Sequence, residues 1–103
     1  RDANAAIIKA NLSKVVAQKA YDYLTKAAVD VESLNAEYFH GLSEGYGFIL
    51  SLQFTNDGNG NAWFNHSDVN NMLSILESGN GFWDRTNIEL TDMANTIKSV
   101  TGL

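Results

Sequence analysis

The chain has 103 residues, 45% of them apolar and 11% aromatic, with a formal charge of −5; it can build one hydrophobic core, and it lacks the basic patch that would neutralise phosphates, which argues against nucleic acid as a partner. It has no cysteine and no proline, so disulfide scaffolds, zinc ribbons and thiol nucleophiles are excluded and long uninterrupted helices are favoured. No apolar run reaches membrane-spanning length, and a chain that opens on Arg1 reads as a processed form, a tag-cleaved product or the C-terminal piece of a larger helical protein.

The first predicted helix spans residues 3–31. Asp2 or Asn4 can cap it, and Ile7, Ile8, Leu12, Val15, Val16, Tyr23, Leu24, Ala27, Ala28 and Val31 form a broad apolar stripe. The lysines at 9, 14, 19 and 26 fall mainly off that stripe and read as a solvated face. A short connection at Val31–Glu32 makes the next helix, residues 33–54, an antiparallel neighbour with Ser33 as its cap. Its apolar face is Phe39, Leu42, Tyr46, Ile49, Leu50 and Gln53. Gly41 and Gly45 stand four apart on one line, which predicts close approach of another backbone, with a kink at Gly45–Gly47 as the alternative.

On the same helix His40 and Glu44 are four apart and share a face. Three readings stand for this pair: two ligands of a metal set that needs at least one more, an acid–base pair, or a hydrogen bond that orients a half-buried histidine.

After the second helix comes a polar loop, then a third helix at 67–78 capped by Ser67, with Val69, Met72, Leu73 and Leu76 inward. A second glycine-rich connection, Ser78–Thr86, carries Phe82 and Trp83 as expected anchors on the core. A last helix at 87–100, started by Thr86 or Asn87, buries Ile88, Leu90, Met93, Ala94, Ile97 and Val100 and ends at Gly102. The fold class expected is all-α: an antiparallel bundle of about four helices in a single domain over residues 1–103, or the C-terminal part of a larger bundle.

The polar loop Asp57–Asp68 fits much of a twelve-residue calcium loop. Asp57, Asn59, Asn61, Asn65 and Asp68 put side-chain oxygens at positions 1, 3, 5, 9 and 12, and the carbonyl of Trp63 falls at position 7. The wording resembles a dockerin calcium repeat, which implies a weakly bound Ca2+ ion. It departs from that pattern at Ala62, where glycine makes the sharp turn, and in having one repeat where dockerins have two.

The run Tyr38-Phe39-His40-Gly41-Leu42-Ser43-Glu44-Gly45 through Phe54, followed by a polar loop, then Ser67-Asp68-Val69-Asn70-Asn71-Met72-Leu73 and Gly81-Phe82-Trp83-Asp84-Arg85-Thr86, resembles the C-terminal part of an imelysin-related bacterial domain of unknown function. The resemblance implies an exported helical protein, periplasmic or at the cell surface, linked to metal or iron uptake. The imelysin signature is a glycine, a histidine two residues on and a glutamate three further. His40 matches the histidine, while Tyr38 and Ser43 stand in the other two positions, with Glu44 one later.

His40 and His66 are the only imidazoles, and neither a G-x-S-x-G nor an H-E-x-x-H motif accompanies them. The function expected is therefore non-catalytic and, with the export that the resemblance implies, that of a binding or surface protein whose partner is a metal ion or another protein. The alternatives are a calcium-stabilised interaction module and a structural fragment with no site of its own.

Overall fold

The structure, a computed structural model, describes residues 2–103. It is an all-α bundle of four helices: α1 (Asp2–Asp30), α2 (Ala36–Ser51) extended by a 3-10 turn at Leu52–Phe54, α3 (His66–Glu77), a second 3-10 turn at Gly81–Asp84, and α4 (Asn87–Thr101). At 29 residues α1 is about 43 Å long, and it sets the long axis of a molecule measuring 48 × 23 × 19 Å.

Neighbouring helices run antiparallel. Tyr23 of α1 stacks on Phe48 of α2 with ring centroids 5.7 Å apart, while the Ser13 hydroxyl accepts the N–H of Asn56 just beyond α2. At the far end of α1 the Asn87 amide donates to the Ala28 carbonyl at 2.7 Å, and Lys98, further along the same helix α4, lies 5.9 Å over the Tyr21 ring. Helix α1 thus packs along both α2 and α4, and α3 packs on α2.

The core is aliphatic and aromatic. Leu24, Tyr38, Leu42, Ile49, Leu52, Leu76, Leu90 and Ile97 are fully buried, each such aliphatic side chain contributing roughly 1.5–3 kcal/mol. The inward faces expected for α3 and for the middle of α4 are those observed: Val69, Met72, Leu73, Leu76, Leu90, Met93, Ala94 and Ile97 are all buried.

Several local expectations are corrected. Helix α1 buries its small side, Ala17, Ala20, Ala27 and Ala28 around Leu24, and leaves Ile7, Ile8, Leu12 and Val15 exposed. Leu50, Ile88 and Val100 are exposed as well. Asn4 lies inside α1, and the cap expected at Asp2 lies outside the described side chains. Asn35, not Ser33, caps α2, by accepting the Tyr38 N–H at 2.8 Å. Ser33 bonds back to the Asp30 carbonyl, and the chain reverses through Leu34 at φ 48°. Asn65, not Ser67, caps α3.

Gly45 is the close-packed glycine. It is buried, and a Cβ there would stand 3.1 Å from Cβ of Tyr23, whereas a Cβ at Gly41 would meet nothing within 4 Å. Helix α2 runs unbroken from Ala36 to Ser51.

Candidate functional site

An open cleft lies where two aromatic, glycine-bearing segments converge. It has a volume of about 480 Å3 and is lined by Ser43 and Tyr46 of α2, Leu76 and Glu77 at the end of α3, and Gly81 and Phe82 of the second 3-10 turn. Phe39, one turn before Ser43, packs against Trp83 with centroids 4.5 Å apart, and Phe82 leans on Tyr46 at 6.3 Å. Trp83 remains 63% exposed, so an aromatic face is presented to solvent and not spent on the core. Only Phe82 serves as the expected anchor.

The connection that carries these rings is tied down from within. The buried Arg85 donates from Nε to the Gly81 carbonyl at 3.0 Å and from Nη2 to the Ser78 carbonyl at 2.8 Å, and its Nη1 pairs with Glu89 at 3.4 Å. The Asp84 carboxylate accepts the Asn80 N–H at 2.7 Å. From the other side the buried Tyr38 hydroxyl donates to the Phe82 carbonyl at 2.6 Å. Burial raises the Tyr38 phenol above its usual range, with Arg85 opposing, which keeps it a donor at any ordinary pH. The Tyr46 phenol is also raised, by desolvation first and then by the Glu77 carboxylate beside it. Sequence reasoning passed over Arg85; the available signal was a lone arginine inside a glycine-rich connection of an acidic chain.

The cleft therefore combines the rings of Tyr46 and Phe82 with one carboxylate and two hydroxyls. It can hold a cation or a flat apolar ring. Neither histidine lines it: His66 faces Gln53 at 3.3 Å and His40 faces Glu44.

The residues expected to bind metal are placed as follows. His40 and Glu44 lie on the solvent side of α2, Nε2 to Oε1 3.9 Å, with side chains 79% and 48% exposed. No third ligand joins them: among the described residues no group of three or more His, Asp and Glu side chains is arranged to hold a metal ion.

The segment Asp57–Asp68 forms two separate hydrogen-bonded units. In the first, Asn56 and Ala62 pair as an isolated antiparallel bridge, with Gly58 and Gly60 both at φ 87° between them. The Asp57 carboxylate sits inside this curl. It accepts the N–H groups of Asn59 and Asn61 at 2.7 and 3.2 Å and the Asn61 side-chain amide at 2.8 Å. The Asn61 amide first, then the Asn59 N–H, hold its carboxyl below the usual range. In the second unit Asn65 and Asp68 form a reciprocal capping box at the start of α3, with distances of 2.7 and 3.1 Å. Trp63 donates its N–H to the Thr55 carbonyl and its ring is half-buried.

The curl has a docking partner of its own. A Cβ on Gly58 would stand 2.6 Å from the Ala6 carbonyl oxygen and 3.0 Å from Cβ of Ala10, so the glycine lets the loop lie directly on α1. These contacts give the loop a structural role in seating on α1. Calcium at the millimolar levels that weak extracellular modules require, on the order of 1 mM, is expected to leave the melting temperature unchanged. A rise that magnesium does not reproduce and that Asp57→Ala removes would instead put a cation in the curl.

No helix of the described residues is long and apolar enough to cross a membrane. No curated protein matches the chain, and no solved structure does. Residues 1–103 match the family described as a domain of unknown function (DUF4856), and to that family the chain belongs.

Proposed function

We propose that this chain is a non-catalytic binding domain that takes a basic side chain of a protein partner in the cleft between α2, the end of α3 and the second 3-10 turn. The observation that carries this reading is the half-open aromatic wall: Trp83, 63% exposed and seated on Phe39, beside a cleft that Glu77 lines. An arginine or lysine placed over an indole face gains on the order of 0.5–2 kcal/mol, more as it is desolvated, and Glu77 supplies the opposite charge. The resemblance of the α2 and Phe82–Trp83 motifs to imelysin-related proteins supports an exported location, periplasmic or cell-surface. It also supports a part in metal or iron uptake, with this domain acting as a recognition surface.

A short oligo-arginine peptide titrated into the protein is expected to bind saturably. Trp83→Ala and Glu77→Gln should each weaken binding about 3- to 30-fold, the range that corresponds to ~0.7–2 kcal/mol. Equal binding of an oligo-glutamate peptide, or no loss in Trp83→Ala, would show that the cleft is not the binding surface.

A further inference from the structure

The half of α1 that precedes Ala17 has two unlike faces. Ala6, Ala10 and Ser13 lie under the glycine loop, through the Gly58 approach and the 3.0 Å bond from the Asn56 N–H to Ser13 Oγ. On the far side Ile8, Leu12 and Val15 follow one another at steps of four and three and are 58, 62 and 56% exposed. At 3.6 residues per turn these three share a line roughly opposite the covered face. Phe54, 78% exposed, stands across a shallow groove from Leu12, with Val16 between them.

We propose that this line is a docking seam for an amphipathic helix of a partner protein, one whose apolar stripe is flanked by acidic residues. Steps of four and three repeat the seam spacing by which two helices pack side chain into gap. The exposed apolar surface is on the order of several hundred Å2, the size of the largest patch on an ordinary monomer and commonly a functional one. Charge selects the partner. Lys9 flanks the seam, Lys19 continues it toward the body, and no acidic residue occurs from Ala3 to Tyr21.

A second copy of the chain is disfavoured by the same charges, because pairing two such seams brings Lys9 and Lys19 of each copy together, while the nearest carboxylate, Asp22, is already held by Gln18 at 2.8 Å. A lipid surface is disfavoured by shape: a helix lying in the interface needs a broad apolar face, and here the opposite face is already occupied by the loop. The seam shares no residue with the aromatic cleft, so the two surfaces can be occupied independently.

The test uses a fluorescently labelled helical peptide with leucines at its seam positions and glutamates on its flanks, and a matched peptide with lysines on its flanks. The acidic peptide is expected to bind saturably by anisotropy, tenfold or more weakly to Leu12→Glu, and more weakly as salt rises. The lysine peptide is expected not to bind. Leu12 is exposed, so Leu12→Glu should keep the wild-type circular dichroism and melting temperature, which separates lost docking from lost fold. Equal binding of the two peptides, no binding of either, or no effect of Leu12→Glu overturns the proposal. Concentration-dependent self-association that Leu12→Glu abolishes overturns it in favour of a second copy, and sedimentation with anionic phosphatidylglycerol vesicles that Leu12→Glu abolishes overturns it in favour of a membrane.

Discussion

Arg85→Met is expected to lower stability by about 3 kcal/mol, the range for breaking a buried, hydrogen-bonded charge pair, and so to lower the melting temperature by about 12–20 °C. The Arg85 side chain is only 3% exposed and is the shared donor for the carbonyls of Ser78 and Gly81 and for the Glu89 carboxylate. Methionine replaces much of the volume and none of the donors. The two carbonyls then lose their donor; Ser78 is exposed and Gly81 half-buried, so water replaces part of it and each loss falls toward the low end of roughly 1–3 kcal/mol. Lysine should rescue little, because a single ammonium cannot span three acceptors that a planar guanidinium reaches at once. Damage should also appear early at the cleft, since the same connection holds Phe82 for Tyr38 and Trp83 for Phe39. Differential scanning calorimetry measures the global effect, and tryptophan emission at temperatures below the transition measures the local one. A shift within about 4 °C, under 1 kcal/mol, would mean that Tyr38 and Asp84 suffice to hold the connection.

Helices α3 and α4 were legible because each has one apolar face, although α3 starts from Asn65 and not from the expected Ser67. Val69, Met72, Leu73 and Leu76 leave no second face to choose, and Thr86 with Glu89 makes a capping box. Helix α1 was not legible in the same way. It has two apolar faces, and the more hydrophobic one, Ile7, Ile8, Leu12 and Val15, is not the one that packs. The alanine face wins because small side chains let α2, α4 and the glycine loop approach closely, and hydrophobicity per residue carries no information about that distance. The turn after α1 hid for another reason: a leucine at positive φ has no propensity signature, so Leu34 read as helix.

The polar loop shows a different ambiguity. Asn65 and Asp68, three apart before an apolar run, are a capping pattern and also positions 9 and 12 of a calcium loop. Spacing alone supports both readings. The hydrogen bonds show the capping pattern formed: the N–H groups of Asn65 and Asp68 donate to each other's side chains, and those of Asn59 and Asn61 donate to Asp57; the same oxygens keep lone pairs that a calcium ion would use, so the calcium titration decides between the two readings. The cleft lay half within reach. Its aromatic residues stood out in sequence as two separate motifs, but nothing in a one-dimensional pattern says that Phe39 meets Trp83 across 44 residues.

Gly45→Leu is expected to destabilise the protein by more than about 2 kcal/mol, near the upper end of what forced overpacking costs. Glycine inside a helix is itself unfavourable by roughly 1 kcal/mol against alanine, so propensity alone would make the substitution stabilising. Space decides the sign. The first atom added already stands 3.1 Å from Cβ of Tyr23, and that Cβ is fixed to the backbone of α1 and cannot swing aside. The further carbons of leucine would have to enter the layer where Tyr23 stacks on Phe48 at 5.7 Å, prying α1 from α2 along their principal contact. Gly41→Ala supplies the comparison on the same helix. Nothing lies within 4 Å of its added Cβ, so the propensity term acts alone and stability should rise by up to about 1 kcal/mol. The two substitutions should therefore move the melting temperature in opposite directions. If Gly45→Leu raised it as well, Tyr23 would not face Gly45, and the register of α1 on α2 would have to shift by at least one turn.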